Sequence, residues 1–492
     1  MTSHDSASAE QNACCNCLSR RRFLQVSSAG AVGLTLADQV GHAGEPEDRI
    51  AAATLRPDPH VRVAVAVLRV KPPYWLGWPG TSYDVEGWRE KYLQETRRTA
   101  AEQHLRLEVA DAPLEDDAAV NAFVENLKAD APDGVLVILQ HLGVWSWAER
   151  IAAAGVPTIV FSPIGTSFTG HIARFSWQQG VYVLSGLDFS AVEQALRMVR
   201  AKRMFEESRV LVVSGNQRAE SVLECLGTKV RTIPRRVFQE WFERQPVTPE
   251  VREVVARVKK AAAKVVEPTD RDFLNAARAY VTAKRLMKAE QANALSMDCL
   301  GMVSARVMPT PPCLAWSLLQ DQGVTGGCEA DLFAAVSLMF SSYVFDKPGF
   351  INDPVADTAR NELVAAHCVC GTRLNGFDKP AEPFILRTHS ESDVGVSIQT
   401  LWRAGQPVTL VRFQNPTQLI LDTGTVTGNV DTPPAGGCRT SVRIRMDRVD
   451  DARDVLGFHQ VVFYGNHRRE VEAFCQLYGL KVVHSPERHS AA

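Results

Sequence analysis

No run of about 18 apolar residues occurs in this 492-residue chain, so no segment of it reads as a membrane-spanning helix. Charge of one sign is missing as well. Lys and Arg number 54 against 56 Asp and Glu, a formal net charge of −2, and a nucleic-acid footprint is not expected. The one basic cluster, Arg231 with Arg235 and Arg236, is short and reads as a solvated strand end. Gly-x-Gly-x-x-Gly, the P-loop and Gly-x-Ser-x-Gly are all absent, which argues against nucleotide and serine-hydrolase chemistry. Internal repeats and low-complexity tracts are lacking too. Of eleven cysteines, Cys14, Cys15 and Cys17 precede residue 43 and the rest are scattered, so disulfide connectivity cannot be read from their spacing. Cys225, Cys313 and Cys475 sit in apolar runs and read as small buried hydrophobes. Cys368-Val369-Cys370 stands beside His367 without a second pair at finger spacing, so structural zinc is not expected.

What is there describes an ordinary globular chain, 45% apolar and 22% charged. Its length suits roughly three domains of about 150 residues. Ser19-Arg20-Arg21-Arg22-Phe23-Leu24-Gln25 precedes a mildly apolar run over 26–37, and Gly41-His42-Ala43 offers a small-x-small cleavage site. This resembles a twin-arginine export signal, which predicts a periplasmic or extracellular protein with no membrane anchor once residues 1–43 are removed. A polar linker is expected over 44–60. Strand-like runs at 61–68, 105–109, 134–139 and 158–161 alternate with helical patterns, as in a parallel doubly wound sheet over 61–205. A second such domain is expected over 206–347. From 348 to 492 short strands punctuated by Gly, Pro, Asn and Asp predict a mostly β domain with a terminal helix over 468–478. The fold class is therefore α/β: two doubly wound parallel-sheet domains followed by a mostly β C-terminal domain.

Chemistry concentrates between 294 and 331. One strand ends at Asp298, a helix spans 314–322, and a second strand runs out into Cys328-Glu329-Ala330-Asp331. Ligands of open α/β sheets lie outside the carboxyl ends of strands, where these acids are delivered. Asp331 also opens a helical run, so capping and ligation both fit it. Gly326-Gly327 points to a close backbone approach to a ligand. His459 opens a strand and His467 follows its end; folded back onto the acids, either would complete an oxygen and imidazole set for a divalent metal. His141, His367 and His467 are candidates for hydrogen bonds to a substrate.

These residues resemble the L-fucose isomerase and L-arabinose isomerase group. The similarity lies in Gly327-Cys328-Glu329-Ala330-Asp331 running into a helix, in His367-Cys368, and in His459-Gln460-Val461-Val462-Phe463-Tyr464-Gly465. The resemblance implies a Mn²⁺-dependent aldose–ketose isomerase acting on a sugar, usually a homo-oligomer. It implies Asp331 and His459 as metal ligands with Glu329 close by, and Glu329 or Asp298 as the catalytic carboxylate. Two departures stand out. The group carries a second carboxylate shortly after the strand that ends here near Cys299, where this chain has Leu300-Gly301-Met302-Val303. Its members also work in the cytoplasm, whereas this chain carries an export motif. A second reading follows, an exported carbohydrate-binding protein that keeps the scaffold without catalysis. A glycoside hydrolase using paired carboxylates is a third.

Overall fold

In the strand Val61–Leu68 (β1) the side chains of Val63, Val65 and Val67 enter one apolar cluster, and those of Ala64, Ala66 and Leu68 enter another. A strand buried on both faces belongs inside a parallel sheet covered by helices. The computed structural model, which describes residues 49–75, 77–431 and 437–486, places it there. The twin-arginine motif and its cysteines lie outside the described residues. With β2 (Leu105–Val109), β3 (Gly134–Leu139), β4 (Thr158–Pro163) and β5 (Val181–Gly186), β1 forms a five-stranded parallel sheet in the order β2-β1-β3-β4-β5. Helices Val85–Glu102, Asp117–Ala129, Trp145–Ala152 and Ala191–Glu207 are the main connections. The N-terminal ends of the first two are capped by Asp84 and Asp116, whose carboxylates accept from backbone N–H groups three residues on.

The second sheet contains β6 (Arg209–Val213), β7 (Ala219–Val222) and β8 (Lys229–Ile233). After β9 (Lys264–Val265), which lies elsewhere, come β10 (Ala294–Met297) and β11 (Thr325–Cys328). Its order is β11-β10-β6-β8-β7, parallel except at the β7 edge. Every residue of β7 is exposed, so it has no apolar pattern to betray it in sequence. Helix Asp270–Ala289 starts with reciprocal Thr269 and Asp272 caps and packs with one core cluster, whereas helix Leu332–Phe345 belongs to another. The latter is buried along nearly its whole length because it lies between this sheet and the β domain. Residues 52–55, within the stretch expected to be a linker, form a 3₁₀ turn with Ala52 and Leu55 buried in the second sheet's core.

Gly326 and Gly327 serve packing, not the approach to a ligand that the sequence suggested. A Cβ at Gly326 would lie 2.9 Å from Trp316 Cα, and one at Gly327 would lie 3.1 Å from Ser296 Oγ and 3.3 Å from Ala335 Cβ. Gly326→Ala is therefore expected to destabilise the chain by about 1–3 kcal/mol through overpacking, read as a lower denaturant midpoint. An unchanged midpoint would show that helix Cys313–Gln320 yields freely.

The remaining strands are β12 (Phe350–Asp357), β13 (Glu362–His367), β14 (Phe384–Arg387), β15 (Ser397–Thr400), β16 (Pro407–Asn415), β17 (Gln418–Asn429), β18 (Thr440–Met446), β19 (Gln460–Tyr464) and β20 (Lys481–Val483). Six of them close an antiparallel barrel in the order β16-β19-β12-β13-β18-β17 and back to β16; β20 adds to β17 in parallel. Closure removes exposed strand edges. β14 and β15 stay outside the barrel; β14 pairs with β15 on one side and with β9 on the other, so both join a small sheet with part of the preceding α/β region. Among the described residues no helix is long and apolar enough to cross a membrane.

Candidate metal centre

β10 and β11 end side by side, with Met297 paired to Cys328. Beyond β11 the backbone turns left-handed at Glu329 (φ 60°) and Ala330 (φ 56°). Non-glycine residues held there cost of order 1–3 kcal/mol each, and such strain clusters at functional sites. Asp331 closes the turn: its N–H donates to Cys328 O at 3.1 Å, and its carboxylate accepts from Ala334 N at 2.9 Å as the cap of helix Leu332–Phe345. Glu329 is thereby left at the rim, its side chain 35% exposed.

The barrel supplies the facing groups. Asp353 lies in β12 opposite Ala366, His367 ends β13, and His459 precedes β19 in a left-handed conformation (φ 54°). His459 Nδ1 donates to Asp331 Oδ2 at 2.9 Å, and Arg412 Nη2 meets the same oxygen at 2.9 Å. That anchoring turns His459 Nε2 toward Glu329 Oε2 at 3.6 Å and Asp353 Oδ1 at 3.3 Å. His367 Nε2 lies 3.8 Å from Glu329 Oε1. One donor atom from each of Glu329, His367 and His459 falls within 4.8 Å of the others.

Electrostatics follow from this crowding. Burial opposes charge on His459, but its contacts with Asp331 and Asp353 and the field of Glu329 outweigh it, and its pKa is pushed up to about 9. Burial likewise opposes charge on Asp331, yet His459, Arg412 and the Ala334 N–H hold its carboxyl well below the ordinary range. His367, assisted by His459 and opposed by burial, lowers the pKa of Glu329. The pKa of His367 is raised, because Glu329 and Asp353 overcome the effect of its burial.

A divalent cation fits these residues. His459 Nε2 and Asp353 Oδ1 are buried atoms with no hydrogen-bond partner that lie 3.3 Å apart, and His459 Nε2 also faces Glu329. One carboxylate and two imidazoles, with a further carboxylate alongside, suit Mn²⁺, Fe²⁺ or Zn²⁺. An imidazole that gives its other N–H to a carboxylate has the usual environment of a metal-ligating histidine. The centre borders a small cavity of about 40 Å³ whose wall includes Leu300, Glu329, Asp353, His367 and His389.

The structure sorts the residues singled out from the sequence. Glu329, His459 and His367 converge. Asp331 joins them through His459 and is occupied by Arg412 and the helix cap. Asp298 caps helix Cys299–Ser304 through Gly301 N and pairs with Arg235, so the structure gives it no place in the cluster or the cavity wall as a catalytic acid. His141 lies at the end of β3 on the first sheet, where its Nδ1 accepts from Gly143 N at 2.9 Å and its ring meets Tyr74; it is absent from the cavity wall. His467 packs on Phe345 and Phe463, and burial with the nearby Lys347 pushes its pKa down to about 4; this is a packing role apart from the cavity. Cys313 and Cys475 are buried as expected, whereas Cys225 is exposed on a left-handed turn. Sequence reasoning missed Asp353 and His389. Asp353-Pro354 interrupts a weakly apolar strand, and nothing local marks that carboxylate as facing His459.

Two α/β sheets and a closed antiparallel barrel, the second sheet and the barrel meeting at a carboxylate–imidazole centre, define the class: an α/β protein with a candidate divalent-cation site at strand ends. No protein-family model matches the chain. Over 196 residues it is 24% identical to a sulfoquinovose isomerase of Clostridium sp. (strain MSTE9), covering 37% of this chain and 43% of that protein. The chain thus matches less than half the length of this relative. Among solved structures, an ABC transporter solute-binding protein from Burkholderia multivorans covers 51% of this chain and 85% of its own length at 12% identity and a TM-score of 0.18. A periplasmic solute-binding protein from Actinobacillus succinogenes 130z with bound D-allose covers 51% and 84% at 14% identity and a TM-score of 0.18. Scores this low carry no weight for the fold or the site.

Proposed function

We propose that this chain is a divalent-metal-dependent aldose–ketose isomerase, with Mn²⁺ as its expected cation. The meeting of Glu329, His367 and His459 at one point carries the reading, and partial similarity to a sugar isomerase supports it. When bound, the cation would polarise the hydroxyl and carbonyl oxygens at C1 and C2 of an open-chain aldose, making the C2 proton more acidic. Glu329 and the two imidazoles would hold it, and Asp331 would keep His459 in the tautomer that presents Nε2. Asp353 would take the proton from C2 and return it at C1 through an ene-diol. Leu300 stands on the cavity wall in the segment where the resembling isomerases carry an acid, and Asp353 would supply a carboxylate from the barrel side instead.

The test is ketose formation by the purified full chain with Mn²⁺ on a panel of aldoses headed by sulfoquinovose. Leu300 also favours a second reading, an exported carbohydrate binder without turnover; sugar binding with no ketose formed under any divalent cation would decide for it. Export by the twin-arginine route and homo-oligomerisation belong to the same proposal, and cell fractionation and solution sizing check them.

Asp331→Asn separates orientation from ligation. Asn caps helices about as well as Asp, so helix Leu332–Phe345 should keep its start. Loss of the charged partner of His459 is expected to weaken Mn²⁺ binding about 10–100-fold without abolishing it. Calorimetric titration reads the change, and complete loss of binding would make Asp331 a ligand itself.

A further inference from the structure

Five of the eight described cysteines, Cys299, Cys313, Cys328, Cys368 and Cys438, line the cavity beside the candidate metal centre. Among the described residues the thiols do not form a metal set of their own. The one group of three or more His, Cys, Asp or Glu donor atoms that meet is Glu329, His367 and His459. Four of the five lie two by two at adjoining strand ends, Cys299 with Cys328 and Cys368 with Cys438, and the second is the pair that chemistry can reach. Cys438 is partly exposed, whereas Cys299 and Cys328 are both buried.

Backbone geometry brings this pair together. β13 and β18 run antiparallel with His367 opposite Thr440; Cys368 directly follows the end of β13, and Cys438 lies two residues before β18 begins. They thus flank adjoining strand ends, and both line the same cavity. The neighbouring loop is pinned against them. Arg439 donates to Thr388 O at 2.7 Å and to Thr388 Oγ1 at 3.1 Å, and Cys368 Sγ lies 3.2 Å from Ser390 Oγ.

We infer that Cys368 and Cys438 form a reversible thiol–disulfide site, taking a low-molecular-weight disulfide as oxidant. The reaction balances as two exchanges. Cys438 sulfur attacks the oxidant disulfide, forming a mixed disulfide and releasing one reduced thiol. Cys368 sulfur then displaces the second thiol and forms the intramolecular bond. The two protons of the cysteine thiols leave on the two released thiols, and the oxidant gains the two electrons the protein loses. Cys368 directly follows His367, so the bond would fix the strand end that carries a candidate ligand. The inference does not depend on isomerase activity.

The test equilibrates the reduced full-length chain with graded glutathione disulfide, then denatures it, alkylates free thiols and maps peptides by mass. The expected result is the loss of two alkylatable thiols and a peptide pair linked through Cys368 and Cys438, lighter by two hydrogen atoms and restored by reductant. Cys370→Ser should keep the link, because Cys370 Sγ is turned to Gly371 O at 3.2 Å. Cys368→Ala should stop at a glutathione adduct on Cys438. Alkylation of both cysteines at every oxidant level would overturn the inference. So would a link between Cys299 and Cys328 alone, or a wild-type adduct on Cys438 that never resolves. Circular dichroism of each variant separates failure to fold from failure to link.

Discussion

His459→Ala is expected to remove Mn²⁺ binding from the calorimetric range and to lower isomerase turnover by at least about 10²-fold. The effect exceeds that of Asp331→Asn because the substitution deletes the donor atom itself, whereas losing an orienting carboxylate costs about 10–100-fold in affinity. The fold is expected to survive. Asp331 keeps Arg412 at 2.9 Å and its cap on Ala334 N, so no buried charge is left alone. Alanine at φ 54° adds a penalty of about 1–2 kcal/mol, but the histidine it replaces bears the same backbone strain. Thermal unfolding of the metal-free variant close to that of the metal-free wild type is the required control. Mn²⁺ affinity within a few-fold of wild type, with that control met, would remove His459 from the centre and the metal reading with it.

Much of the fold was legible because local pattern and burial agree. β1, β3 and β4 are apolar runs buried on both faces, and helices such as Asp270–Ala289 announce themselves by period and cap. Elements whose burial depends on distant partners were hidden. β7 is wholly exposed, β9 is two residues long, and neither has a pattern of its own. Barrel closure was unreadable for the same reason, since the β16–β17 and β16–β19 pairings are a matter of register between segments, not of composition.

The centre divides along the same line. Glu329 was singled out because strand ends of parallel sheets are where ligands collect, and His459 by the short motif that surrounds it. Asp298 was assigned a catalytic task on that logic and instead meets Arg235, a partner from the helix after β8 that no spacing reveals. His141 and His467 occupy similar places relative to their strands, yet one sits on the first sheet and the other is wedged against Phe345 and Phe463. Asp353 shows the converse. Its importance arises only when β12 pairs with β19 and sets it beside an imidazole more than one hundred residues away in sequence.

Asp353→Asn is the substitution that assigns the proton transfer. The side chain is 33% exposed, with Oδ1 at 3.3 Å from His459 Nε2, so it reaches both the centre and the open side of the cavity where a sugar would enter. As proton carrier, it is expected to cost about 10²–10⁴-fold in kcat, the usual worth of a positioned acid–base group. Mn²⁺ affinity should change by less than about tenfold, because Glu329 and both imidazoles remain to hold the cation. Glu329→Gln should do the reverse, weakening Mn²⁺ binding first and turnover through it. Solvent exchange separates the two roles: in D₂O the wild type is expected to introduce deuterium during isomerisation, and Asp353→Asn should lose that exchange together with ketose formation while still binding metal. An Asp353→Asn enzyme that turns over within a few-fold of wild type would return the carrier role to Glu329. A variant that loses Mn²⁺ and turnover in equal measure would instead make Asp353 a fourth ligand, and the barrel strand β12 would then complete the coordination that Leu300 leaves open.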